Sequence, residues 1–210
     1  MINCRFLKQF PSYLKFIGQI PGEAIEEKEE TIIDSKQTPL ELLDASFSTL
    51  RKATAEDLLT KLKACSPGFF EQVVVRLLHA MGYGGVTGDS LVTGKPGDAG
   101  IDGIIKEDKL GLDVVCIQAK RWDGSVGRPV IQGFVGSMDY IRARKGVILT
   151  TSQFTRDGLE FVERIEGKKV VLIDGPTLAN LMIEHNVGVK PTKVYELKEV
   201  SNDFFDEDEG

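Results

Sequence analysis

Apolar residues fall in two rhythms along this chain. Upstream they recur at helical spacing: Leu40, Leu43, Phe47 and Leu50, then Leu58, Leu59 and Leu62 predict one helix or two short ones between Pro39 and Cys65, with Thr54 placed as an N-cap. Ser66-Pro67 opens another helix, in which Phe70, Val74, Leu77, Leu78 and Met81 repeat until Gly82 stops it. Beyond Gly85 the rhythm shortens to strands. The turn-rich GKPGDAG precedes IDGIIKED, a tight turn is expected near Asp108 to Gly111, and LDVVCIQAKRW follows, so the pair reads as a hairpin.

Next come a helix from Pro129 to about Ile141, the strand GVILTT, a helix near Thr155 to Ile165, the strand VVLID and a helix from Pro176 to about His185. Wholly apolar strands that alternate with helices pair in parallel and are covered on both faces. The expected fold class is α/β: a mixed central sheet with an antiparallel leading hairpin, then βαβ units, preceded by a helical segment.

Composition agrees with a globular protein: of 210 residues, 41% are hydrophobic and 28% charged. The formal net charge of -6 at first argues against a nucleic-acid partner. Residues 67–189, however, hold 14 Lys plus Arg against 15 Asp plus Glu, and the rest of the chain holds 12 against 17. The acidity therefore belongs mainly to flanking segments. Within the core stretch, Lys120-Arg121, Arg128 and the cluster Arg142, Arg144, Lys145 offer cations to a phosphate backbone, although a solvated helix end explains the last cluster equally well.

Cys4, Cys65 and Cys116 are odd in number and widely spaced, so they indicate neither a disulfide framework nor a thiolate zinc site. A cytoplasmic setting is expected. With only His79 and His185, neither a multi-histidine metal site nor a histidine-based triad is indicated. No apolar run approaches the ~20 residues of a membrane span.

The strand ending at Lys120 carries the chemistry. Alternation puts Leu112, Val114, Cys116, Gln118 and Lys120 on one face, which begins apolar and ends in an amide and an ammonium. A lysine completing an apolar face needs a carboxylate or an anion nearby. Asp102 on the neighbouring strand and Glu71 on the preceding helix supply carboxylates. Together these groups suit phosphodiester hydrolysis with Mg²⁺, which prefers oxygen ligands: Asp102, Glu71 and the amide oxygen of Gln118 as metal ligands, and Lys120 to orient the water and offset phosphate charge. A structural Asp102–Lys120 ion pair, with Gln118 filling hydrogen bonds, fits the same pattern.

Asp102 followed by Gln118-Ala119-Lys120 resembles the D…QxK variant of the PD-(D/E)xK nuclease signature. FEQVVVRLLHAMGYGG, GKPGDAGIDGIIKEDKLGLDVVCIQAKRW, VGRPVIQGFVGSM, RKGVILTTSQFT and VVLIDGPTLANLMIEHNVGV are similar to the catalytic domain of the Mrr restriction endonucleases, over about residues 40–205. The resemblance implies a restriction-endonuclease-like core and a Mg²⁺-dependent endonuclease, with Mn²⁺ as a substitute. It would cut methylated foreign double-stranded DNA in type IV restriction and act as a homodimer away from any membrane.

Carried over by position, Asp102 is the metal carboxylate, Gln118 stands where Asp or Glu is usual, Lys120 is the catalytic lysine, and Glu71 is the acid of the leading helix. Gln132 resembles a polar residue near the active site, and an exposed helical glutamine is its alternative. Asp98 reads as a turn residue. Gly97, Gly100 and Gly103 allow tight backbone geometry beside the metal.

The resemblance also orders the domains: residues 1–20 as a remnant following a missing winged-helix domain, 21–39 an acidic linker, 40–66 a helical segment, 67–189 the nuclease domain, and 190–210 an extension with an acidic tail. Because complete members carry that winged helix, a catalytically weak or inactive DNA-binding or assembly module is the alternative function. A nuclease for branched or RNA-containing substrates is a third.

Overall fold

The computed structural model describes residues 38–84, 90–92, 100–106 and 113–201. Asp98, Gly97 and the turn at Asp108 to Gly111 lie outside them. The chain divides into two compact units, Met1–Phe47 and Ser48–Gly210. In the first, the described residues are the start of helix α1 (Pro39–Ala64), where Thr38 and Glu41 cap each other reciprocally.

The second unit holds all the remaining elements. After α1 come α2 (Pro67–Ala80), β1 (Ser90–Val92), β2 (Gly103–Lys106), β3 (Val114–Lys120), α3 (Arg128–Tyr140), β4 (Lys145–Thr150), α4 (Arg156–Glu163), β5 (Lys169–Ile173) and α5 (Gly175–Glu184). The helix from Pro39 runs unbroken. Thr54 is no N-cap: its hydroxyl donates to the carbonyl of Leu50 one turn back, as mid-helix threonines do. Ser66 does cap α2, accepting from Phe69 N–H.

The five strands lie in the order β1-β2-β3-β4-β5, with β1, β2 and β3 antiparallel and β3, β4 and β5 parallel. The mixed sheet, leading hairpin and βαβ units expected from the sequence are all present, and the short edge strand β1 is an addition. Helices cover both faces. On one, Leu58, Phe70, Val74, Leu77, Leu178 and Met182 pack on Ile105, Ile117, Val147 and Leu149. On the other, Ile131, Phe134 and Met138 of α3 pack on Cys116, Ile148 and Val170. Gly146 makes that second contact close, since a Cβ there would stand 2.7 Å from Phe134.

The crossovers after β3 and β4 leave from the C-terminal ends of parallel strands, so the loops after β3 and β4 meet there. Val126 and Phe154 form a parallel bridge between them. Three buried hydroxyls stitch the same end: Thr150 donates to Lys120 O, Thr151 to Trp122 O and Ser152 to Gly124 O.

Candidate active site

The register of β2 on β3 sets the site. Gly103 pairs with Ile117, so the next step places Asp102 across from Gln118, and Asp102 N–H donates to Ile117 O. The Asp102 carboxylate turns along β3, where its Oδ2 accepts from Ala119 N–H at 2.7 Å. Glu71 arrives from the second turn of α2, positioned by the Ser66 cap and Pro67. Lys120 ends β3, paired in register with Thr150 of β4.

Glu71, Asp102 and Lys120 feel one another electrostatically. Desolvation raises the Asp102 carboxyl above its ordinary range, against the lowering effect of the Ala119 hydrogen bond and of Lys120. Desolvation, reinforced by Asp102, raises Glu71 as well, and Lys120 opposes this. Two carboxylates therefore share a region where their joint negative charge is under-compensated. Among the described residues Lys120 closes no ion pair with either, so the structural Asp102–Lys120 pair is not formed.

Gln118 supplies the most specific observation. Its side chain is 4% exposed, and its Nε2 donates to the carbonyl of Gly100. A carbonyl only accepts, so the amide nitrogen must face Gly100 and Oε1 must face away. That Oε1 is buried with no hydrogen-bond partner among the described residues. Burying an acceptor unsatisfied costs roughly 1–3 kcal/mol, which a cation at that oxygen would offset. Asp102 lies across the register from Gln118 and Glu71 is coupled electrostatically to Asp102, so the three offer oxygen donors of the kind Mg²⁺ and Mn²⁺ take. Among the described residues no group of three His, Cys, Asp or Glu converges, so a metal here would rest on two carboxylates and the amide.

A family model, Mrr_cat (restriction endonuclease), matches residues 62–182, more than half of the chain. The chain belongs to the Mrr-type restriction endonuclease family. The type IV methyl-directed restriction enzyme EcoKMrr of Escherichia coli (strain K12) is 42% identical over 172 residues, covering 82% of this chain and 56% of that enzyme. The chain thus spans just over half the length of this relative. Among solved structures, the DNA modification-dependent restriction endonuclease AspBHI superposes with a TM-score of 0.51 at 19% identity, over 66% of this chain and 36% of that one. It shares the fold.

Of the residues that the Mrr resemblance singled out, Asp102, Gln118 and Lys120 meet at one sheet end, with Glu71 close enough to be coupled electrostatically. Gln132 is exposed in the second turn of α3, at the end of that helix which starts beside the C-terminal end of β3. Gly100 has φ +86°, and its carbonyl holds Gln118. Gly103 instead is a buried residue of β2 without a left-handed backbone.

The other cations divide. Lys145 pairs in register with Val115, five residues before Lys120 on β3, so the Arg142 to Lys145 cluster sits about 16 Å away, at the opposite strand end. Lys145 there pairs with Asp113, and Arg128 with Asp157 while it covers the Phe161 ring. Arg121 stays at the site's end, donating to Lys63 O at 2.6 Å. Cys116 is no nucleophile: burial pushes its thiol up to about 11.

The sequence reading missed Thr150, fully buried, whose hydroxyl fixes the carbonyl of Lys120 at 2.8 Å. The signal was present in GVILTTS, where three hydroxyls close an otherwise apolar strand at its C-terminal end. Among the described residues no helix is long and apolar enough to cross a membrane.

Proposed function

We propose that this chain is a divalent-metal-dependent deoxyribonuclease of the type IV, modification-dependent kind, cutting methylated double-stranded DNA in the cytoplasm. The observation that carries this reading is the buried Oε1 of Gln118, without a hydrogen-bond partner among the described residues, at the strand end shared with Asp102 and with Lys120, which closes no ion pair among the described residues. The names of two relatives, one methyl-directed and one modification-dependent, support the substrate class.

Asp102, Glu71 and Gln118 Oε1 would hold Mg²⁺, or Mn²⁺ in its place. When bound, the ion polarises a phosphate oxygen and makes bound water more acidic. The protein's own part follows from the geometry. Asp102 is oriented by Ala119 N–H at Oδ2, which leaves Oδ1 without a hydrogen bond among the described residues. Lys120, fixed through its carbonyl to Thr150 and Thr151, offers its ammonium to the attacking water and to the charge that grows on the phosphate oxygens. Gln132 of α3 stands on the solvent side for substrate. Cutting both strands takes two such sites, so the reading includes a homodimer.

The test is cleavage of one plasmid, methylated or unmethylated, by the purified chain with Mg²⁺. Faster loss of the methylated form supports the proposal, and equal rates would remove its modification dependence.

A non-cutting DNA-binding module is the second reading. It is favoured by the neutral Gln118 at a position where a carboxylate would hold Mg²⁺ more firmly, with only two carboxylates converging among the described residues. Titration with Mn²⁺ separates the two, because a module without chemistry shows no specific metal site.

A further inference from the structure

Trp122, the sole tryptophan of the chain, follows Lys120 by two residues. Its backbone is held on both sides. The N–H donates to Lys120 O at 3.1 Å, and the carbonyl accepts from Thr151 Oγ1 at 2.9 Å, a hydroxyl on a residue only 2% exposed. Arg121, between them, is tied to Lys63 O of α1. The three-residue run is thus clamped to β4 and to α1. Yet the Trp122 side chain is 43% exposed, and among the described residues it makes no ring or cation contact.

A rigid backbone that presents a large aromatic to solvent pays little conformational entropy when a partner covers it, because only two side-chain torsions remain to be fixed. The position of this one narrows the partner. The Trp122 N–H to Lys120 O bond closes a three-residue turn, which holds the two Cα atoms closer than the ~7 Å of extended chain and within about one nucleotide step, so an anion engaged by Lys120 brings its neighbouring sugar and base to Trp122. The surroundings on the far side are mainly polar and carry both signs of charge: a cavity of about 290 Å³, whose lining includes Lys63, Asp123, Ser125, Thr151, Ser152 and Gln153, adjoins Trp122 through Thr151.

We propose that the indole of Trp122 packs against the deoxyribose and base of the nucleotide next to the scissile phosphate, fixing where along the strand the phosphate meets Lys120. Aromatic contact with a base is tolerant of sequence, so this residue positions the substrate and leaves the choice of modified base to other surfaces. The inference rests on the nuclease reading above.

Because Trp122 is the sole tryptophan, indole emission reports on this one position. The purified chain is titrated with a short duplex oligonucleotide carrying 5-methylcytosine, in Ca²⁺ to hold cleavage back, and its cleavage kinetics are then measured in Mg²⁺. The emission is expected to change as the duplex saturates the protein. Trp122→Phe is expected to stay within about threefold of the wild-type KM, and Trp122→Ala to raise KM about tenfold with little change in kcat. If the wild type cleaves but its emission is unmoved by saturating duplex, or if Trp122→Ala keeps the wild-type KM, the inference is overturned and the nuclease reading stands. If the wild type neither binds nor cleaves the duplex, the nuclease reading falls and the inference falls with it.

Discussion

Asp102 Oδ2 accepts a 2.7 Å hydrogen bond from the backbone N–H of Ala119, the residue that separates Gln118 from Lys120. One carboxylate is thereby anchored to the same three residues whose other two side chains form the rest of the site. Asp102→Asn keeps an acceptor for that N–H and should fold at least as stably as wild type while losing cleavage. Asp102→Ala strands a largely buried donor, so it should lose cleavage and also about 1–3 kcal/mol of stability in urea denaturation. Equal stabilities for the two variants would show that the hydrogen bond contributes nothing.

Both carboxyls of the site titrate above their ordinary range, chiefly from desolvation. In the window between the unfolded and the raised folded values the native protein holds protons that the unfolded chain has released. This contribution to stability is therefore fully present below that window, where both states are protonated, falls as pH rises through it and is lost above it. In EDTA, Glu71→Gln and Asp102→Asn should each melt higher than wild type at neutral pH, with the gap closing in acid. Saturating Mn²⁺ should reverse the order at neutral pH, raising the wild-type Tm and leaving Asp102→Asn behind. Melting curves that keep the same spacing at every pH would contradict the shared burden of charge.

Gly100 is held at φ +86°, and a Cβ there would come within 3.0 Å of Gln118 Nε2, which bonds Gly100's own carbonyl. Gly100→Ala should cost about 1–2 kcal/mol from backbone strain and, by turning the Gln118 amide, lower the cleavage rate further. Gly82 is the control. It has φ +94° at the end of α2 with nothing near its missing Cβ, so Gly82→Ala should lose similar stability yet keep cleavage once folded. Denaturant midpoints and cleavage rates of the two variants separate strain from site geometry.

Thr150→Val removes the hydroxyl that holds the carbonyl of Lys120, in a fully buried position that tolerates the shape. The same hydroxyl accepts from the buried Ser152 N–H and bonds Ser152 Oγ, so about 1–3 kcal/mol of stability should go with it. If the bond positions Lys120, kcat falls and KM does not. A drop in stability alone would leave Thr150 a structural residue.

The elements of this fold were legible because each declares itself locally. The apolar runs GVIL and VVLI marked two parallel strands, of which β4 lies inside the sheet and β5 at its edge, and Ser66-Pro67, Thr155 and Asp174 stand at helix starts that the structure caps. The unbroken α1 was less legible, since Thr54 offers the same hydroxyl to a cap or to the carbonyl one turn back, and only packing chooses. At the site, alternation along β3 correctly joined Gln118 to Lys120, and hairpin pairing brought Asp102 to them.

What alternation does not encode is direction at a strand end. The pattern allowed Asp102 to pair with Lys120, and the structure spends its Oδ2 on Ala119 N–H instead. The bare oxygen of Gln118 was equally hidden, because it follows from Gly100's carbonyl eighteen residues earlier claiming the amide nitrogen. The Arg142 to Lys145 cluster looked available from its charge alone, and strand register removes it to the far end.

Asp102, Gln118 and Lys120 are proposed to form a working phosphodiesterase site. It is tested most directly by comparing Mg²⁺-dependent cleavage of methylated duplex DNA by the wild-type chain and by Lys120→Met, which keeps the length of the side chain and removes its charge. Clear cleavage by the wild type is expected, with a rate at least about 100-fold lower for a folded Lys120→Met. Equal rates for the two proteins would contradict it.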